Sequence, residues 1–277
     1  CLIQLKMDKN HLLTKLWEQY AEITPSAKKI HDLLEEKGEE IKNDHIAIRT
    51  FSDKRVAIEI LEKPFLLVGY QAKGKYNFES KKLFAKHYEH STDKKAPRIF
   101  ISELELEKCS PRLQETVKNI LDGCDQNEFN NPELVLSGSF WKANSLAVYK
   151  SLLNESEYAA WMYIYGFRAN HFTINVNALK DFDSLQELNV FIENKGWKLN
   201  ESGGKIKGIP EQLLEQSSTL ADLYSVDFKE GTLEIPSCYY EFALRYPMQN
   251  GELYQGFIAS SADKIFESTD VKLQEVK

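Results

Sequence analysis

Three residues of this chain are of the types, and lie in the local patterns, that hold a divalent metal. His45 heads the run Asp44-His45-Ile46-Ala47-Ile48-Arg49, and His171 follows Asn170 in Asn170-His171-Phe172-Thr173-Ile174. Glu241 lies in Ser237-Cys238-Tyr239-Tyr240-Glu241-Phe242-Ala243. Two imidazoles and a carboxylate leave coordination positions open for substrate, a donor set suited to non-haem Fe(II) oxygen chemistry. Nothing else in the chain offers as complete a chemical apparatus.

All three runs read as β-strands. Side chains alternate along a strand, so His45, Ala47, Arg49 and Phe51 share one side, and Ile46 and Ile48 take the other. His171, Thr173, Asn175 and Asn177 likewise face away from Phe172, Ile174 and Val176, and Glu241 goes with Tyr239, Ala243 and Arg245. Each proposed ligand thus falls on the more polar face of its strand, as a substrate cavity against a wrapped sheet requires. Arg49 lies four residues beyond His45, ~13 Å along the strand. A planar, permanently charged guanidinium there is placed to pair with a carboxylate held away from the metal, which suits a dicarboxylate of moderate length.

Taken singly, each residue has a plainer reading. A strand histidine is ordinarily a hydrogen-bonded structural group, a glutamate beside two tyrosines fits a strand edge, and Arg49 fits a surface ion pair. The metal reading rests on the three elements together. His87-Tyr88-Glu89-His90 is a competitor, but it matches neither His-Glu-x-x-His nor His-x-x-Glu-His, so zinc-hydrolase geometry is not met. It is expected to wall or cover the pocket, with His87 as a catalytic candidate. Gly203-Gly204-Lys205-Ile206-Lys207-Gly208 lacks P-loop spacing and reads as a turn or lid. Ser261 reads as the cap of a helix near the end of the chain.

The elements that must position these residues are mixed. Apolar residues recur at helical spacing at Leu12, Leu13, Leu16, Trp17 and Tyr20, then after Pro25 at Ile30, Leu33 and Leu34. Strands are expected over 46–51, 65–70, 98–104, 171–177, 221–228 and 237–245, with a short strand within 196–206. Further helices are expected after Pro111, over 154–165 and 184–194, and around 211–216. Without regular βαβ alternation, this favours an α+β fold over a doubly wound sheet. The expected organisation is one domain, 1–277, made of a helical segment (1–43), a first β-rich module (44–150) and a second (151–277). Each module opens on a histidine strand and later reaches a strand with a glutamate, Glu103 or Glu241, which suggests a duplicated unit.

The 277 residues carry a net charge of −7, with 42% hydrophobic and 28% charged residues. That describes an ordinary globular protein and argues against a nucleic-acid or anionic-membrane surface. No apolar run approaches the ~20 residues of a transmembrane helix. Cys1, Cys109, Cys124 and Cys238 are scattered, without zinc-type spacing, so a reducing, cytoplasmic setting is expected. The chain opens on Cys1 and its first methionine is Met7; a lipoprotein cut at Cys1 would begin this way, but the residues before Met7 are expected to be a cloning remnant or a misread start.

Seven stretches together resemble the 2-oxoadipate dioxygenase/decarboxylase family. They are His45-Ile46-Ala47-Ile48-Arg49-Thr50-Phe51, Lys86-His87-Tyr88-Glu89-His90, Pro97-Arg98-Ile99-Phe100-Ile101-Ser102-Glu103-Leu104, Asn170-His171-Phe172-Thr173, Gln216-Ser217-Ser218-Thr219 with Ala221-Asp222, Tyr239-Tyr240-Glu241-Phe242-Ala243, and Ser261-Ala262-Asp263-Lys264-Ile265-Phe266. The resemblance implies a vicinal-oxygen-chelate-like fold, paired β modules wrapped around a metal and flanked by helices. It implies His45, His171 and Glu241 as ligands of Fe(II), with Zn2+, Mn2+ or Ni2+ as substitutes in purified protein. Arg49 then binds a substrate carboxylate, and Ser261 contacts substrate. The implied reaction takes a 2-oxo acid, 2-oxoadipate, with O2 to 2-hydroxyglutarate and CO2, in lysine breakdown. Larger members of the family carry sequence that this chain lacks, which leaves substrate identity less determined than the metal site. Oligomeric state is left open. Two other readings stay open beside this one: hydrolase, lyase or isomerase chemistry at the same site, and a non-catalytic dicarboxylate binder.

Overall fold

Leu12, Leu16, Tyr20 and Ile23 recur every three or four residues and are all buried, which makes α1 (Lys9–Ile23) an amphipathic helix with one face on the core. Pro25 starts α2 (Pro25–Glu36). The computed structural model describes residues 8–143 and 145–269; Cys1 and Met7 lie outside them.

After β1 (Asn43–Phe51) come two short helices, α3 (Ile58–Leu61) and α4 (Lys63–Leu67), then β2 (Tyr70–Phe78), β3 (Leu83–His90) and β4 (Arg98–Leu104). Helices α5 (Pro111–Asp122), α6 (Leu146–Leu153) and α7 (Glu157–Tyr165) lead to β5 (Ala169–Asn175) and α8 (Leu185–Asn194). The chain continues through β6 (Leu214–Ser218), β7 (Leu223–Phe228), β8 (Gly231–Pro236), β9 (Tyr239–Arg245) and α9 (Ala259–Phe266). Serines 110, 145, 156 and 184 cap α5, α6, α7 and α8, each accepting a backbone N–H three residues on.

Seven strands form one sheet in the order β2-β3-β4-β1-β5-β9-β6. β1 and β5 meet antiparallel at its centre, each has a parallel partner outside it (β4 and β9), and beyond those lie antiparallel β3 and β6. The sheet is therefore two similar halves joined at the β1–β5 seam. The face that carries the even-numbered residues of β1, β5 and β9 bears the core: Phe172 and Tyr240 pack against Trp17 and Tyr20 of α1 with ring centroids 5.1–6.3 Å apart. The other face carries the polar residues and lies beneath α7, α9 and the segment 246–258.

Several expected elements differ. The stretch 65–70 is not a strand: Pro64 starts a helical turn, α4, and β2 begins only at Tyr70. The hairpin β2–β3 and helix α6 went unread. β2 is an edge strand with exposed lysines instead of clean alternation, a pattern that blunts edge pairing. Around 211–216 a single 3-10 turn runs into β6, because Leu213 takes φ +67° and ends the helical path. Within 196–206 only an isolated bridge forms, at Leu199. Ser261 is not a cap: α9 begins at Ala259 after Ile258, so Ser261 is an internal, buried helix residue.

The module symmetry has a different register from the one the sequence suggested. Thr173, two residues after His171, pairs with Glu241; Ala47, two residues after His45, pairs with Phe100. The counterpart of Glu241 is therefore Phe100, not Glu103. Glu103 accepts from the Ile58 N–H on the opposite face.

Candidate metal centre

The register brings the three residues together. His45 pairs with Thr173 and Ala47 with His171 across the central seam, so the two histidines are related by the local twofold and point to the same face. Thr173 in turn pairs with Glu241. His45 and Glu241 thus flank Thr173 in one transverse row, with His171 two residues along the middle strand.

Ligand atoms of the three side chains all lie within 4.8 Å of one another, and all three residues are buried. His171 Nε2 is 2.9 Å from Glu241 Oε2, and His45 Nε2 is 3.5 Å from Glu241 Oε1 and 3.4 Å from His171 Nε2. Glu241 Oε2 nevertheless accepts no well-aligned hydrogen bond, although it is fully buried. An orphaned carboxylate oxygen facing two imidazole nitrogens is costly for a protein alone and is what a bound cation satisfies. The residues fit a divalent metal in a two-histidine, one-carboxylate set.

Each histidine is held from behind. A β-bulge leaves Asp44 as the extra residue before His45, and a second leaves Asn170 as the extra residue before His171. Asp44 Oδ1 lies 2.8 Å from His45 Nδ1, and Asn170 Oδ1 lies 3.1 Å from His171 Nδ1. Both acceptors fix the hydrogen on Nδ1 and present Nε2 to the centre. Arg245 clamps Asp44 with Nε at 2.7 Å and Nη2 at 2.9 Å, and Arg98 adds a contact at 3.3 Å. Gln216 Nε2 donates to Glu241 Oε1 at 2.6 Å.

The electrostatics follow this frame. Burial pushes Asp44 up, but the Arg245 and Arg98 guanidinia outweigh it and hold the carboxyl well below its usual range. Burial also pushes Glu241 up, and the two imidazoles more than offset it, so this carboxyl too is held low and ionised. Burial lowers His45, but Glu241 and Asp44 raise it overall. For His171 burial wins, because its backing group is a neutral amide and Glu241 offsets the loss only in part. The pair is thus unequal: a carboxylate backs one imidazole and an amide the other.

Phe100, Phe257, Ala262, Ile265 and Phe266 close over the trio, leaving about 20 Å³, room for little more than one water molecule. On the outer side of Phe266 lies a larger cavity of about 190 Å³, bordered by Lys81, Lys82, Glu157 and Tyr158. Arg49 lies on the ligand face of β1. Its Nη1 donates to Glu157 at 3.2 Å, its Nη2 to Thr269 at 3.3 Å, and its guanidinium stacks at 4.8–5.9 Å on Tyr158, Trp161 and Phe266. It is buried, not a surface ion-pair partner.

His87 is not brought to the trio. Phe257 stands between them, edge-on to His45 at 4.8 Å and to His87 at 5.4 Å. His87 Nδ1 meets the Tyr76 hydroxyl at 2.8 Å and its Nε2 meets Glu89 at 3.0 Å. His90 is committed to the backbone of Val68, Thr92 and Asp93. Ser261 faces Gly208 beneath α9. Sequence reasoning gave no role to Asp44, Asn170, Gln216, Arg245 or Phe257. One local signal was present for the first two: an Asp or Asn immediately precedes each histidine.

The profile of the 2-oxoadipate dioxygenase/decarboxylase family matches residues 7–252. The chloroplastic/amyloplastic 2-oxoadipate dioxygenase/decarboxylase of Oryza sativa subsp. japonica is 34% identical, across 93% of this chain and 78% of the relative. Its chloroplastic counterpart from Arabidopsis thaliana is 33% identical, across 90% and 74%. Among solved structures, the Oryza sativa hydroxyglutarate synthase in complex with 2-oxoadipate superposes with a TM-score of 0.89 at 34% identity, over 95% of this chain and 93% of that one. A Shewanella frigidimarina NCIMB 400 protein, described provisionally as a hydrolase, gives 0.85 at 49% identity, over 90% and 97%. A glyoxalase-superfamily protein from Ralstonia eutropha JMP134 gives 0.72 at 20% identity, over 90% and 85%, and shares the fold. The α+β, vicinal-oxygen-chelate-like architecture is thus established. The cytoplasmic expectation is overturned by the plant relatives, whose names place them in plastids. Among the described residues Cys109, Cys124 and Cys238 are free cysteines. Among the described residues no helix is long and apolar enough to cross a membrane.

Proposed function

The chain belongs to the 2-oxoadipate dioxygenase/decarboxylase family, and on that footing we propose that it converts 2-oxoadipate and O2 to 2-hydroxyglutarate and CO2 at the site built on His45, His171 and Glu241. The observation that carries the reading is the convergence of those three buried side chains around an unsatisfied carboxylate oxygen. The reaction balances with one oxygen atom of O2 in the new carboxylate of the shortened acid and the other in its hydroxyl group. The carbon of the original carboxylate leaves as CO2.

Bound at these three side chains, Fe(II) supplies the redox chemistry by which dioxygen reacts with the 2-oxo acid. The protein's own contributions are positional. Asp44 and Asn170 keep the imidazole hydrogens on Nδ1 and aim both Nε2 lone pairs inward. Gln216 holds Glu241 in one orientation and donates to it as an ionised acceptor. Arg49 binds the carboxylate remote from the reacting end, so the 2-oxo end is presented to the trio. Phe100, Phe257, Ile265 and Phe266 exclude water from the reacting atoms. His87 stands behind Phe257 and Ser261 faces Gly208 beneath α9, so neither lines the pocket over the trio.

The test is metal analysis of the purified protein coupled to O2 uptake and CO2 release with a panel of 2-oxo acids. The expected result is iron-dependent, equimolar O2 consumption and CO2 release with 2-oxoadipate. Turnover of 2-oxoadipate under strict anaerobiosis would instead mark Lewis-acid chemistry at the same residues. Stabilisation by dicarboxylates that chelation leaves unchanged would mark a binder without catalysis.

A further inference from the structure

Tyr239 has a buried hydroxyl that hydrogen-bonds nothing among the described residues. A phenylalanine would fill the same space without leaving a buried hydroxyl unpaired. Other tyrosines here also bury unpaired hydroxyls, but Tyr240 points to the apolar face, whereas Tyr239 lies on the face of the metal site. It pairs with His171 across β5–β9, and its ring stacks on the His171 ring at 4.7 Å. Its other side packs against Ile265 of α9, which closes the pocket. Both side chains pack against α9, Tyr239 on Ile265 and Arg49 on Phe266.

Arg49 is short of partners as well. It is fully buried, yet its Nε has no acceptor and its two bonds, to Glu157 and Thr269, are single and long. A guanidinium presents five donors in a planar fork suited to a carboxylate. Glu157 reaches it from the rim of the outer cavity, with its side chain 25% exposed. The molecule therefore has two buried, under-used donor groups on one face, beside a metal ligand, with a partly exposed carboxylate standing in on one of them.

We propose that Tyr239 is a further specificity-determining residue: its hydroxyl, together with Arg49, donates to the remote carboxylate of a dicarboxylic 2-oxo acid, in the seat where Glu157 now meets Arg49. This rests on the reading above of a 2-oxo acid held at the trio. The substrate class follows from the donors: a neutral hydroxyl and a permanently charged guanidinium beyond the metal select an acid with a second carboxylate over a monocarboxylate of equal length. On binding, the substrate carboxylate replaces Glu157 as the partner of Arg49.

The experiment compares wild type, Tyr239→Phe and Glu157→Gln as iron-loaded enzymes, with 2-oxoadipate and with 2-oxohexanoate, which lacks the second carboxylate. Tyr239→Phe keeps the ring on His171 and removes only the donor. The expected result is a KM for 2-oxoadipate raised about tenfold, with kcat and iron content retained and the KM for 2-oxohexanoate unchanged. Glu157→Gln removes the competing charge and is expected to lower the KM for 2-oxoadipate about three- to tenfold. Equal losses for both substrates in Tyr239→Phe, or no loss for either, would overturn the role of Tyr239. A raised KM in Glu157→Gln would overturn the exchange, since it would make Glu157 a support of Arg49. Adipate binding to the metal-loaded proteins, measured calorimetrically, reads the same seat without turnover. If wild type bound adipate but turned over no 2-oxoadipate, the proposed reaction would fail while the seat still stood tested.

Discussion

Asp44 Oδ1 accepts from His45 Nδ1 at 2.8 Å while Arg245 grips the same carboxylate with two nitrogens, so the His45 imidazole is oriented by a buried ion pair. Arg245 also donates to the carbonyls of Tyr254 and Gly256, and Phe257 lies edge-on to His45. One guanidinium thereby ties the group behind His45 to the segment that covers the site. His171, backed by Asn170 alone, has no such charged anchor.

Asp44→Asn keeps the size of the side chain and removes its charge. Metal affinity, read by Mn2+ or Co2+ titration of the apo protein, is expected to fall about 10- to 100-fold. Because two guanidinia lose their counter-ion, thermal unfolding should show a loss of about 3–5 kcal/mol. Unchanged affinity would mean that Asp44 does not orient the ligand.

His171→Ala removes one of three donors from a buried centre. The expected outcome is a folded protein that retains no iron after desalting and shows no O2 uptake. Full metal occupancy in that variant would refute the ligand assignment.

Arg49→Lys keeps a positive charge but not the planar fork or the stacking on Tyr158 and Trp161. The KM for 2-oxoadipate is expected to rise at least about tenfold while iron content stays at the wild-type level. A variant that lost iron in proportion to activity would assign Arg49 to the metal centre instead.

Lys207 gives a pH prediction. It is buried, its Nζ donates to the Asn200 carbonyl at 2.5 Å, and burial pushes its ammonium down to about 8 despite the nearby Glu241. In the unfolded chain a lysine titrates near 10.4. Between those values the unfolded state binds more protons, so this group's contribution to stability rises with pH. It is complete above the unfolded value and lost as pH falls through the folded one. Urea unfolding at pH 7.5 and 10 should show an increment of up to about 3 kcal/mol that Lys207→Met lacks. Equal pH slopes in the two proteins would show that the ammonium is not strained by burial.

Parts of this molecule were legible from local sequence because their causes are local. Alternation along 45–51, 171–175 and 239–245 separates a polar face from an apolar one, and the period of two is a property of the single strand. The helical spacing of Leu12, Leu16 and Tyr20 similarly announces α1. The edge hairpin β2–β3 stayed hidden because exposed lysines replace the alternation that a half-buried strand shows. The Phe100–Glu241 correspondence was misread as Glu103–Glu241, since the partner of each strand is set by contacts far away in the chain.

What the chain declared by itself was a set of donor residues, the faces they occupy and a family likeness carried by short motifs. Which residues touch was decided only in three dimensions. Strand pairing placed His45, Thr173 and Glu241 in one row, and two bulges turned Asp44 and Asn170 behind the histidines. Folding also buried Arg49 between aromatic rings and laid Phe257 and Phe266 over the centre. A side chain's direction follows from its own backbone, but its neighbours follow from register and packing across residues more than a hundred positions apart, which no local pattern encodes.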